Sequence, residues 1–150
     1  MADLFFPNFN FKTRNESNKT LVYDELRKKW LQLTPEENVR QHLWKYLNIQ
    51  FKYPKSLMAI EKKIIINKLE KRFDLLIYNK AGNPLMIAEC KSPKIKLNQS
   101  TLEQILRYNI QLKATYLLIT NGIDLYCCHV DFKSGKMEFL KTIPMFNDIC

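Results

Sequence analysis

The chain has 150 residues, 46% of them hydrophobic and 26% charged, with 24 Lys and Arg against 15 Asp and Glu for a formal net charge of +9. That length suits one domain with a real core and is too short for two, while the charge favours an acidic partner, nucleic acid first. No stretch approaches membrane-spanning length and the start, Met-Ala-Asp-Leu-Phe-Phe-Pro, has no basic or long apolar signal region, so the expectation is a cytoplasmic protein that meets no membrane.

In the first 33 residues, Phe9, Phe11 and Thr13 alternate with Asn10, Lys12 and Arg14. A turn at 15–18 and an extended stretch at 20–23 follow, so an accessory hairpin lying on the domain is expected. Residues 24–33, with Leu26, Trp30 and Leu33, read as a short helix or a bridging segment. The main domain is expected over 34–150.

Thr34-Pro35-Glu36-Glu37 is a helix start: Thr34 as N-cap, Pro35 at N1, and Glu37 placed to close a capping box. Val39, Leu43 and Leu47 form its buried stripe, with Trp44 or Tyr46 at the margins. Glu36 stands in line with that stripe. Residues 56–67 read as a long, bent strand whose Glu61 either enters a site or pairs with a nearby lysine.

Residues 72–93 hold the chemistry. Two short apolar runs, 73–78 and 84–90, flank the turn residues Gly82 and Asn83 and predict a β-hairpin inside a sheet. Asp74, Glu89 and Lys91 interrupt them. Side chains alternate along a strand, so Glu89 and Lys91 share a face and Cys90 points the other way. Two carboxylates can ligate a hard cation such as Mg²⁺, and a lysine beside them can orient water or offset charge on a phosphate. The same Glu-X-Lys pattern is more often a solvated ion pair, but the apolar residues around Glu89 and Asp74 argue for burial, where a charge needs a partner or a metal.

Lys94 and Lys96 form a basic loop and, with Arg72 and Lys113, are candidate phosphate contacts. Residues 98–113 predict a second helix with an apolar surface of Leu102, Ile105, Leu106, Ile110 and Leu112. Gln104 and Tyr108 share a face at i, i+4. Residues 114–120 are a buried strand, Asn121-Gly122 turns the chain, and 123–130 returns as a strand before a turn at Ser134-Gly135 and a last extended stretch at 136–141. The cysteines, Cys90, Cys127, Cys128 and Cys150, lack zinc-site spacing and read as reduced thiols. The order predicts an α/β domain with a central mixed sheet flanked by helices, its helical link at 98–113 long enough for a right-handed crossover.

Asp74 followed by Glu89-Cys-Lys91 after a hairpin resembles the PD-(D/E)XK nuclease signature. The ordered set is more specific: Thr34-Pro-Glu-Glu-Asn-Val-Arg-Gln41, Tyr53-Pro54, Arg72-Phe-Asp74, Glu89-Cys-Lys-Ser-Pro93, Gln104 with Tyr108-Asn109, and Leu118-Ile-Thr-Asn-Gly122. It resembles the N-terminal nuclease domain of type I restriction enzyme R subunits over most of the chain. The resemblance implies a restriction-endonuclease-like αβββαβ core and hydrolysis of DNA phosphodiester bonds, with RNA left open as a substrate. It implies Mg²⁺ or Mn²⁺ held by Asp74, Glu89 and the Cys90 carbonyl, with Glu36 as a further metal candidate. Lys91 would act on the attacking water, and Gln104 and Tyr108 would lie near the site. A homodimer or a larger restriction-type complex is the expected assembly. The alternative is a catalytically silent module that keeps the fold to bind nucleic acid or protein.

Overall fold

A computed structural model describes residues 3–150. The N-terminal expectation is exceeded: β1 (Thr13–Glu16), β2 (Lys19–Asp24) and β3 (Lys29–Gln32) form a three-stranded antiparallel sheet. Residues 24–33 are therefore neither a helix nor a bridge. Lys28 sits at φ 53°, and the left-handed turn there sends Trp30 back opposite Tyr23. Ahead of β1, the Phe5 N–H donates to the Gly122 carbonyl at 2.8 Å, and Phe6 is buried against His42 and Tyr46.

Helix α1 (Pro35–Phe51) starts as its sequence dictates, with Thr34 accepting from the Glu37 N–H at 3.1 Å. The capping box is only half built, because the Thr34 N–H donates to the Gln32 carbonyl and Glu37 turns elsewhere. Val39, Leu43, Trp44 and Leu47 are buried, so Trp44 belongs to the stripe itself rather than its margin. A 3-10 turn at residues 55–57 precedes β4 (Met58–Ile66), which begins two residues later than the sequence pattern suggests.

The main sheet runs β4-β5-β6-β7-β8-β9, adding β5 (Leu69–Tyr78), β6 (Pro84–Cys90), β7 (Tyr116–Thr120), β8 (Leu125–Asp131) and β9 (Lys136–Leu140). Among the described residues only β6 and β7 pair in parallel, joined through α2 (Gln99–Leu112). Asn98 caps α2, and Lys113 closes it in a left-handed conformation. A short α3 (Phe146–Ile149) ends the chain.

Alternation splits the core into two layers. Leu75, Ile77, Met86, Ala88, Leu118 and Cys127 pack with α1, while Leu76, Ile87, Leu117, Ile119 and Cys128 pack with Leu102 and Ile105 of α2. Ile110, expected on that apolar surface, is 63% exposed. The four cysteines are free thiols. Among the described residues no helix is long and apolar enough to cross a membrane.

Candidate active site

The sheet forks at the middle of β5. The ladder between β5 and β6 ends at Leu75 opposite Ala88, whereas β4 and β5 stay paired to Ile66 opposite Leu69. Both strands turn over at the fork. Ile60 and Leu75 pack toward α1, but Ile64, Ile66 and Phe73 pack toward α2. In an unbroken strand residues two apart share a face, so the facing reverses at Glu61 and Asp74. Glu61 takes the strain, with φ at 51°, a left-handed conformation uncommon outside glycine.

In the gap the Asp74 carboxylate replaces a backbone acceptor. Its Oδ2 accepts from the Cys90 N–H at 2.8 Å, and the next amide, Lys91, donates to Thr120 of β7 at 2.9 Å. Asp74 is 8% exposed, and its charge is felt at Glu89. Burial first, then the charge and hydrogen bond of Asp74, push the Glu89 carboxyl well above its ordinary value, and Lys91 only partly opposes this. The Lys91 Nζ stands 3.8 Å from Glu89. Glu36 is raised too, by burial and by the Asp74 charge. The fork thus gathers Asp74, Glu89 and Lys91, with Glu36 linked to it through Arg40 at 3.4 Å.

Sequence reasoning missed the group that balances these acids. The Arg40 guanidinium is 2.8 Å from Asp74, 3.0 Å from Glu37, 3.4 Å from Glu36 and 3.5 Å from Glu61. Burial works against its charge, but Asp74 and Glu37 outweigh burial and hold it protonated. Its Nε is buried without a hydrogen-bond partner. A second arginine, Arg27, joins Asp24, Glu37 and Glu61. Glu61 therefore pairs with arginines rather than a lysine, and Glu37 serves this network instead of a capping box. The signal available was position: Arg40 lies one residue from the buried Val39, beside the stripe, where an unpaired charge would be costly.

Among the described residues, no group of three or more His, Cys, Asp or Glu side chains is disposed to hold a metal ion. Mg²⁺ does not need one, since it uses one or two carboxylates and keeps several waters. Asp74 and Glu89 with the Cys90 carbonyl fit that donor set. What favours a cation is the crowding of acids: burial and the Asp74 charge together raise the Glu89 carboxyl, and a bound cation would relieve both. Around the fork and its network, six carboxylates (Asp24, Glu36, Glu37, Glu61, Asp74, Glu89) meet two guanidinium groups and one ammonium, an excess of negative charge.

The remaining candidates sit further out. Gln104 donates to the Tyr108 hydroxyl at 3.2 Å, and Tyr108 packs edge-on to Phe73, the neighbour of Asp74. Neither touches the acids through a hydrogen bond. Arg72, Lys94, Lys96 and Lys113 are exposed. A cavity of about 580 Å³ between α2 and the β8–β9 end of the sheet, lined by Leu102, Leu106, Ile119, Tyr126, Met137 and Phe139, contains none of the fork residues.

Residues 35–144 match the family described as Type I restriction enzyme R protein N terminus (HSDR_N). Among solved structures, a fragment described as an HsdR subunit of a type I restriction enzyme from Vibrio vulnificus YJ016 aligns with a TM-score of 0.54 at 17% identity. The alignment covers 78% of this chain and 24% of that one, so the chain spans about a quarter of that protein's length. No curated protein compared with the chain matches it.

Proposed function

The chain belongs to the family of type I restriction enzyme R protein N termini, and from that membership we propose that it is a PD-(D/E)XK-type, Mg²⁺-dependent nuclease domain acting on DNA in a restriction-modification setting. The observation that carries the reading is the fork: Asp74 fixed by the Cys90 N–H at 2.8 Å, with the Lys91 ammonium 3.8 Å from Glu89.

Asp74, Glu89 and the Cys90 carbonyl would hold Mg²⁺ or Mn²⁺. When bound, the ion supplies positive charge to the scissile phosphate and to its attacking water. Lys91 positions that water and offsets charge growing on the phosphate. Glu36 acts from outside the ligand set, and Gln104 with Tyr108 orients the side of the site bounded by Phe73. The Asp74–Cys90 hydrogen bond fixes one carboxylate before any substrate arrives, which is the preorganisation such a site needs. DNA, and a dimer or restriction-type complex to grip it, are the partners that family membership favours.

One observation favours a second reading. Both Asp74 oxygens already have partners, Arg40 and the Cys90 amide, as in a silent module whose ion pair is structural. Isothermal titration with Mn²⁺ and a plasmid-cleavage assay separate the two. The nuclease reading expects Mn²⁺ binding and divalent-dependent cleavage, with cleavage lost in Asp74→Ala and Lys91→Ala while circular dichroism shows both folded. Cleavage that survives in both variants, or wild-type protein that binds no Mn²⁺, would sink it.

A further inference from the structure

Beyond the fork, β4 and β5 continue as an arm that, among the described residues, no third strand joins: Lys62 opposite Phe73, Lys63 opposite Arg72, Ile64 opposite Lys71, Ile65 opposite Glu70 and Ile66 opposite Leu69. One face of the arm is occupied. Ile64, Ile66 and Phe73 pack toward α2, and the Lys71 ammonium lies 4.8 Å over the Tyr108 ring. The other face carries Lys63, Arg72, Ile65 and Glu70, all exposed, with Ile65 77% open to solvent. Five cations, Lys62, Lys63, Lys68, Lys71 and Arg72, share the arm with a single acid, Glu70.

The row formed by Lys63 and Arg72 needs an explanation. Like charges directly opposite each other on paired strands destabilise the pairing. The exposed Lys63–Glu70 contact at 3.4 Å offsets little of this, because surface ion pairs contribute little. Lysines on an edge strand also deter unwanted strand pairing, which accounts for Lys62 and Lys63 on β4. Past the fork β5 has lost β6 and is an edge as well, but edge protection would be served equally by opposite charges and does not account for two cations placed directly opposite each other. Arg72 and Lys63 lie two positions along their strands from Asp74 and Glu61, roughly 7 Å from the pivot at ordinary strand rise. A basic row thus borders an acidic centre. A phosphate chain crossing such a centre would meet cations there.

We propose that the outer face of the β4–β5 arm is the DNA-gripping surface, with Lys63 and Arg72 contacting the backbone phosphates of duplex DNA next to the scissile position. The inference rests on the nuclease reading for its substrate. A two-stranded ribbon is also of a size that the major groove admits, so the arm can lie against a duplex without rearranging the sheet.

The test is fluorescence anisotropy of a short labelled DNA duplex, without divalent cation, over a range of salt concentrations. The proteins are wild type, Lys63→Gln/Arg72→Gln, and Lys133→Gln/Lys136→Gln as a control at the β8–β9 turn. Each lost phosphate contact lowers the salt slope by about one and weakens binding roughly tenfold at 0.1 M salt. The arm variant should therefore lose a slope of about two and bind on the order of a hundredfold more weakly. Its melting temperature should hold or rise, because a like-charge pair has gone; a merely structural role predicts a lower one. Wild-type binding with an unchanged slope in the arm variant overturns the arm and leaves the nuclease reading standing. Wild-type protein that binds no DNA overturns both, and preference for an RNA duplex overturns the choice of substrate.

Discussion

Replacing Arg40 with Met keeps most of the side-chain volume and removes the charge that holds the fork together. In the structure Arg40 is 2.8 Å from Asp74 and 3.0 Å from Glu37, with both acids and the guanidinium shielded from water. Glu36 and Glu61 are nearer solvent, with side chains 47% and 32% exposed, so their contacts add little. Breaking a buried ion pair from one side costs about 3–5 kcal/mol. Part of this is returned, because the unpartnered Arg40 Nε carries a desolvation cost of about 1–3 kcal/mol that the variant no longer bears. Taking the middle of both ranges, the expected net loss is about 2 kcal/mol at pH 7, read from urea unfolding. A buried carboxylate stripped of its cation keeps its proton to higher pH. Its contribution to stability is then full at low pH and lost as pH rises, so the gap between variant and wild type should narrow from pH 7 to pH 5. A loss below about 1 kcal/mol at pH 7, or a gap that widens on acidification, would refute the reasoning that Arg40 is the counter-ion of the site.

The Glu89 carboxyl is raised above its ordinary 4.5 by burial and by Asp74. A raised acid stabilises the fold fully below that value, and the benefit is lost as pH climbs through the folded-state value. Thermal melts without divalent cation should therefore fall as pH rises above 4.5, and Glu89→Gln should flatten the curve. A wild-type melt that rises steadily above pH 4.5 would contradict the raised Glu89 carboxyl. Gly122 has φ at +84°, and a Cβ built there comes 2.6 Å from the Leu4 side chain and 3.1 Å from Val39. Gly122→Ala should lose about 2–4 kcal/mol in urea unfolding, from left-handed strain and overpacking together. The loss should shrink when Leu4→Ala is added; an unchanged loss would remove Leu4 from the explanation.

Much of this architecture is written locally. Thr34 and Pro35 mark the α1 start, Gly82 and Asn83 mark the hairpin, and alternation along β6 puts Glu89 with Lys91 and apart from Cys90. These features depend on neighbours in the chain, and the sequence pattern finds them. β3 escaped because Leu26 and Trp30 fall at helical spacing, while the left-handed Lys28 that breaks a helix there carries no glycine to announce it. Arg40 escaped for another reason. Its partners Asp74 and Glu61 lie 34 and 21 positions away, and only the folded sheet brings them to it. The bend expected within residues 56–67 falls at Glu61, but the reversal of facing there and at Asp74 was not legible, since apolar residues continue on both sides of each position. Ile110 misled in the opposite direction, supplying apolar character to a helix face that solvent reaches.

The charges form a line of alternating sign, from Asp24 on β2 through Arg27, Glu37 and Arg40 to Asp74. The family match begins at residue 35, eight positions after Arg27. A fragment trimmed to that boundary would keep every residue of the fork but leave Glu37 and Glu61 with Arg40 as their one shared guanidinium, Arg27 being gone. In this protein the small leading sheet is wired into the fork through Asp24 and Arg27, so what docks on it or is cut from it bears on the charge balance at Asp74.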